Sequence, residues 1–394
     1  MNQGQRLHSL DNLRALMMWL GIVLHASANY MSSPSPLPWR DSQTSLVADF
    51  LMAFIHSFRM PVFFILAGFF VAMLVARRGV EGMLRQRVRR LVLPFVVFWP
   101  LLLIGMSVLV TLYVNLHVTG SAGLDFSLVP HIPGKPVLGT LHLWFIYYLF
   151  LFCLTMALVV RLGRTLPAGF KESLAAAWKT VACQWWGFIV LALPLALLGS
   201  FYRSGVVTPN GSFMPHPAEF LHSGLFFVFG CYLYRHQASL LDVYVRNRWR
   251  YLVAGLMLFV VFLALAKRFE SFQDSLLPLK VAMAFLYNCV SWLWSFALIG
   301  LFLKYLPRQN RVLTYIAASS YWVYLVHMLG TIGFGVLLFN SPFGALGRMS
   351  LNIVFTTLAC LLSYQLLVRH TLIGRFLNDQ RKAPAPSPDA IAAV

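Results

Sequence analysis

Two pairs of basic residues stand inside apolar stretches, where ionisable side chains are costly. Arg14 and His25 lie in the stretch Leu10–Tyr30, and His56 and Arg59 lie in Phe54–Phe70. The spacing of the first pair turns about 20° beyond three full helical turns, which puts both side chains on one stripe about 16 Å apart along the axis. The three-residue spacing of the second pair also shares a helix face. Ionisable groups inside a membrane helix normally face a protein interior or a water-filled cavity. A guanidinium there can bind a phosphate or steady a developing oxyanion. An imidazole titrates near neutrality, so it can take a proton from a hydroxyl or carry an acyl group itself. Cations near one surface and an imidazole deep inside suit a reaction that takes a group from one side of a membrane and delivers it to the other.

Further candidates follow the same pattern. Pro61 has no N–H and crowds the carbonyl of Ser57, so it predicts a kink beside Arg59. The run Arg85–Pro94 is strongly cationic; Arg87 and Arg90 in it could grip phosphates, or the run could serve only to set topology. His142 and Trp144 open one apolar span and His327 falls in the middle of another. Only twelve carboxylates exist, so paired-carboxylate chemistry is not indicated; Asp11 could cap the first helix or orient Arg14. Metal-ligand spacing, a Gly-x-Ser-x-Gly elbow and a phosphate loop are all lacking, so no metal and no bound cofactor is expected.

The elements that must position these residues are apolar helices. The chain has 394 residues, 59% of them hydrophobic and 11% charged. That composition predicts an all-α polytopic membrane protein rather than a soluble core. Apolar runs fall near 11–31, 48–76, 91–114, 141–161, 181–200, 219–235, 251–268, 279–304, 312–339 and 349–369, about ten transmembrane helices. Arginines and lysines crowd alternate connections: six from Arg77 to Arg90, then Arg164, Lys171 and Lys179, then Arg246, Arg248 and Arg250, then Arg308 and Arg311. The other connections hold Arg40, Lys135, Arg203 and Arg348. This bias predicts both termini in the cytoplasm. It also explains the net charge of +19 without a nucleic-acid partner, which is not expected. The sparsely charged connections at Ser32–Trp39, Thr119–Gly139 and Arg203–Pro217 are rich in Pro, Gly and Ser, with scattered His and Trp that could floor a sugar-binding cleft. The five cysteines show no pairing pattern and read as small buried hydrophobes. Residues 1–376 form one transmembrane domain, and the Ala- and Pro-rich 377–394 reads as a disordered cytoplasmic tail.

Arg14 with His25, Phe58-Arg-Met-Pro-x-Phe-Phe-x-x-x-Gly68, Arg87-x-x-Arg-Leu-x-x-Pro94, His142-Leu-Trp-Phe and Tyr321…Tyr324-Leu-Val-His327 together resemble acyltransferase family 3, the bacterial inner-membrane O-acyltransferases. The resemblance covers most of the membrane domain in the same order. It implies a multi-pass inner-membrane enzyme that moves an acyl group, succinyl or acetyl, from a cytoplasmic acyl-CoA to hydroxyls of a periplasmic glucan or other envelope glycan. Proteins of glucan synthesis are then candidate partners. On this reading His25, Arg59 and His56 are catalytic and Arg14, Arg87 and Arg90 bind the donor. His142, Trp144 and His327 are further candidates. Whether His25 acts as a base or becomes acylated stays open. A transporter of an anionic solute or lipid intermediate, its path lined by His and Arg, is the rival; it predicts flux without a covalent product.

Overall fold

The computed structural model describes residues 3–34, 37–132, 134–136, 138–163, 167–202, 205–270 and 277–378. Arg164, Arg203 and the tail from residue 379 onward lie outside the described residues. Within them every regular element is a helix: α1 (Gln3–Ala28), α2 (Leu46–Arg87), a π-helical turn over Val88–Val92, α3 (Leu93–Thr119), α4 (Trp144–Gly163), α5 (Ala168–Cys183), α6 (Gly187–Gly199), α7 (Pro217–Arg235), α8 (Gln237–Glu270), α9 (Leu277–Tyr305), α10 (Arg311–Leu338), α11 (Ala345–Ser363) and α12 (Leu372–Asn378).

Each of the ten expected spans overlies a helix, yet length and apolarity support six crossing stretches among the described residues. These are Leu46–Thr119, Leu141–Leu162, Gln237–Arg268, Leu277–Tyr305, Arg311–Leu338 and Ala345–Val368. The first has 74 residues and contains both α2 and α3. By contrast α6 has 13 residues, about 20 Å of helix against a hydrocarbon core of about 30 Å. Two helices were not anticipated: α5, in a segment read as a cytoplasmic loop, and the short α12.

Three helices frame the candidate residues. Asn12 donates to the Leu306 carbonyl, Trp19 Nε1 to that of Ile316 and Asn29 Nδ2 to that of Thr331. The partners climb together, so α1 and α10 run parallel. α2 runs antiparallel to α1, since Arg14 meets Phe70 while Met17 meets Arg59. On its other side α2 presses against α7 with little between the backbones. A Cβ on Gly68 would fall 1.9 Å from the Phe227 carbonyl oxygen, and one on Gly230 at the same distance from that of Ile65. Only glycine permits this approach, the small-residue packing by which apolar helices associate.

Opposite the arginine-rich end, the connections lock to one another. Thr140 donates its N–H and its hydroxyl to the Gly211 carbonyl, at 2.6 and 2.9 Å. Arg348 Nη1 meets Asp41 Oδ1 at 2.8 Å. Burial pushes the Asp41 carboxyl up from its ordinary value, while the Gln43 N–H and Arg348 pull it back. Trp39, expected to help floor a sugar cleft, is instead buried with Nε1 donating to Asn29 Oδ1 at 2.8 Å. His117, His131 and His216 are exposed.

Candidate active site

The cations at the arginine-rich end surround one cavity, lined among others by Arg14, Arg87, Arg90, Phe70 and Tyr321 and reached by Leu377 of α12. α1 begins at Gln3, so Asp11 lies inside the helix and caps nothing. It orients Arg14 instead, Nη2 to Oδ1 at 3.2 Å, with the guanidinium 5.4 Å from the Phe70 ring centre. Arg87 precedes the π-helical turn and Arg90 lies within it, and Pro94 accounts for what happens there. Proline has no N–H for the carbonyl four residues back, that of Arg90. That oxygen accepts from the Tyr321 hydroxyl at 2.8 Å, which ties the cationic run to α10. The Nε of Arg87 is buried with no hydrogen-bond partner.

Pro61 acts likewise on α2. The carbonyl it leaves without a helical donor, that of Ser57, accepts from the Ser291 hydroxyl of α9 at 2.6 Å. This anchors the turn from which Arg59 projects. Arg59 is buried, donates from Nε to the Met17 carbonyl at 2.9 Å and stacks 5.6 Å from the centre of Phe63. Phe63 and Met18 also line the cavity, so its inner wall leads to Arg59. A Cβ on Gly21 would fall 2.7 Å from Arg59 Nη2 and 3.1 Å from His327 Nε2. Both nitrogens therefore stand over the bare backbone of α1, one turn before His25.

The histidines gather there. The His25 and His327 ring centres lie 5.1 Å apart, and those of His142 and His327 lie 5.4 Å apart, nearly edge-on at 85°. His327 Nδ1 sits 3.0 Å from the Val323 carbonyl oxygen and 2.9 Å from that of Tyr324. Carbonyls only accept, so the hydrogen is on Nδ1. Nε2 is buried, has no hydrogen-bond partner among the described residues and carries the lone pair. His142 shows the opposite tautomer: Nε2 donates to the Leu325 carbonyl at 3.0 Å and Nδ1 is buried without a partner. Leu141, immediately before it, has φ 56°, a costly backbone for a branched residue of the kind that clusters at functional sites. The Tyr324 hydroxyl donates to the His142 carbonyl at 3.0 Å and fixes this turn against α10.

The candidates thus fall into two groups on shared helices. Arg14, Arg87 and Arg90 ring the cavity, while His25, Arg59, His142 and His327 cluster beyond it. His56 points elsewhere, sharing a 2.6 Å hydrogen bond between Nδ1 and the Tyr287 hydroxyl. Trp144 packs among Phe64, Phe145 and Tyr148, apart from both groups. Three site residues were given no role by sequence reasoning, although Tyr321 and Tyr324 stand in the motif that ends at His327. Gly21 sits four residues before His25, and Tyr321 and Tyr324 precede His327 at three-residue intervals. For Gly21 and Tyr324 that spacing was the available signal, since each shares a helix face with a named candidate; Tyr321, six residues from His327, does not.

A family pattern described as an acyltransferase domain matches residues 7–368. Proteins named Glucans biosynthesis protein C, from Escherichia coli strain K12, O157:H7 and O139:H28, are 26% identical over 342 residues, covering 84% of this chain and 84% of theirs. No solved structure matches the chain.

Proposed function

The chain belongs to the acyltransferase family whose domain it matches, and from that premise we propose that this multi-pass membrane enzyme carries an acyl group, succinyl or acetyl, from a cytoplasmic acyl-CoA to hydroxyls of a periplasmic glucan or a similar envelope glycan. The name of the Escherichia coli relatives supports a glucan acceptor. The observation that carries the reading is the pairing of sites on α1 and α10. The arginine-lined cavity opens at one end of these helices, and the histidine cluster lies about two to three turns further along both.

In this reading Arg14, Arg87 and Arg90 grip the donor's phosphates, for which forked guanidinium groups are well matched. The acyl arm runs past Met18 and Phe63 and brings its carbonyl to Arg59. The free Nη groups of Arg59 then face the oxygen on which negative charge develops. His25 is half-buried, so a glycan hydroxyl entering from the opposite face can reach it, and His25 takes the hydroxyl proton as the oxygen attacks the thioester carbon. The enzyme sits in the bacterial inner membrane with both termini cytoplasmic and its histidine side towards the periplasm, where proteins of glucan synthesis would supply the acceptor.

Inner-membrane vesicles given radiolabelled succinyl-CoA or acetyl-CoA on the cytoplasmic face test this directly. Label should become covalently attached to glycan in the other compartment, and reporter fusions at Arg78 and Arg250 should read cytoplasmic while one at Lys135 reads periplasmic. Label crossing without any covalent product would favour the transporter instead.

A further inference from the structure

We infer that His327 is the proton partner of His25: a positioning residue that accepts, on Nε2, the proton His25 releases when it takes one from the acceptor hydroxyl. The inference rests on the acyl-transfer reading above and adds to it a second imidazole with a fixed tautomer.

Three observations carry it. First, the two carbonyls at 3.0 and 2.9 Å hold the hydrogen on Nδ1, so the ring cannot turn its lone pair away from the cluster without losing both bonds. Second, Nε2 is buried without a hydrogen-bond partner among the described residues. A buried polar atom left unsatisfied is costly, and such a cost calls for an explanation, a catalytic role among them. Third, the groups around the His327 ring are those of the proposed chemistry: His25 from α1 and His142 from the turn before α4 by their ring centres, and Arg59 Nη2, which with His327 Nε2 stands over Gly21. His56, the remaining nearby imidazole on α2, is engaged with Tyr287.

Burial decides between the roles of the two rings. His327 is 1% exposed, so no sugar hydroxyl or thioester reaches it, whereas His25 is half-buried. A ring-centre separation of 5.1 Å leaves the pair adjacent, and catalytic hydrogen bonds commonly close up only when substrate is bound. The steps balance. The hydroxyl proton goes to one nitrogen of His25, and the hydrogen on its other nitrogen passes to His327 Nε2. The new C–O bond forms as the C–S bond breaks. The departing thiolate then takes a proton from His25, which recovers its own from His327. Ester and free thiol leave, and both rings return to their starting tautomers. The positive charge on His327 arises as the carbonyl oxygen becomes negative beside Arg59, so the two charges form together, and the Nδ1–H is already held by two carbonyl dipoles.

His327→Asn is the deciding variant, because its amide can still donate to the helix carbonyls but offers nothing in place of Nε2. We expect kcat to fall about a hundred-fold, with both KM values within about two-fold of wild type and normal membrane yield. Rates in mixed H2O and D2O should bow for the wild type, reporting two protons in flight, and become linear for His327→Asn. A variant at near wild-type rate, or a linear wild-type plot, overturns the inference. If His327→Asn does not reach the membrane, the wild-type plot decides alone. Wild-type vesicles that transfer no label from acyl-CoA overturn the acyl-transfer reading and this inference with it.

Discussion

Arg59 and Arg348 are equally buried, each with 6% of its surface exposed, yet their surroundings differ. Arg348, at the start of α11, spends its donors within the protein: Nη1 on Asp41 at 2.8 Å, Nη2 on the Ser341 carbonyl at 2.7 Å and Nε on the Phe343 carbonyl at 2.8 Å. Among the described residues Arg59 makes one hydrogen bond, from Nε to the Met17 carbonyl, and its Nη2 stands with His327 Nε2 over Gly21. Burial alone therefore does not mark function in this protein. A guanidinium with its donors saturated ties two connections together, whereas one with its fork unoccupied is set to receive something from outside the chain.

The comparison should break hardest at the residue that Arg59 attends. His25→Gln keeps a hydrogen-bonding side chain but cannot take a proton, so glycan labelling should fall by roughly 10²–10⁴-fold while expression and membrane insertion persist. Labelling at near wild-type rate would remove the reaction from this cluster altogether.

The arginines themselves come next. Arg59→Lys keeps the charge and loses the fork; kcat should drop about 10²-fold with little change in thermal stability. Arg348→Gln should behave inversely. It strands a buried Asp41 and should cost about 3–5 kcal/mol of stability, while the folded fraction retains its kcat. Thermal unfolding in detergent and vesicle kinetics on the same preparations separate the two. Equal effects on both readouts would mean that the fork of Arg59 is structural too. Gly21→Ala sharpens the contrast without touching a charge. Its methyl would crowd Arg59 Nη2 at 2.7 Å and His327 Nε2 at 3.1 Å. The flexible Arg59 tip can move aside, so folding survives, but displacing it should lower kcat about ten-fold.

What the sequence makes legible here depends on how local the cause is. The Arg14–His25 stripe follows from spacing within one helix, and the carbonyl of Ser57 left to Ser291 follows from one proline; the kink expected beside Arg59 is not where α2 leaves helical geometry, which is at Gly79. The oxygen that answers Ser57 is Ser291, 234 residues on, and no periodicity announces that. Likewise the depth of His327 is readable, but its reactive nitrogen depends on which ring atom meets the Val323 and Tyr324 carbonyls. Gly21 is invisible within an apolar run because its value lies in what other helices place above it. Ten apolar runs read as spans, whereas length and apolarity alone support six stretches among the described residues, one of them holding both α2 and α3, and α6 stops after 13 residues. Trp39 shows the converse error: a tryptophan in a Pro- and Ser-rich loop looks available for a sugar, yet Asn29 and the neighbouring connections bury it.

At the cavity, Arg87→Gln and Arg90→Gln should raise the KM for the acyl donor about ten-fold and leave that for the glycan unchanged, as expected for lost phosphate contacts of roughly 1.5 kcal/mol. A selective acceptor defect would place the donor elsewhere, and loss of insertion would favour a purely topogenic role for the run.

The smallest effect should come from His56, which the sequence groups with His25 and Arg59 and the structure groups with Tyr287. Its Nδ1 and the tyrosine hydroxyl share a 2.6 Å bond between α2 and α9, a half-buried pair that, like Arg348 with Asp41, joins two parts of the chain. His56→Ala leaves the Tyr287 hydroxyl without that partner, which should cost about 1–3 kcal/mol of stability but change kcat by no more than about three-fold, since no proton passes through it. Adding Tyr287→Phe removes the stranded hydroxyl and should restore part of the stability, the signature of a coupled structural pair. Loss of kcat in His56→Ala as deep as that of His25→Gln, with no recovery of stability in the double variant, would move His56 into the reaction. Two histidines would then have to be rejoined that the hydrogen bonds of this structure set apart.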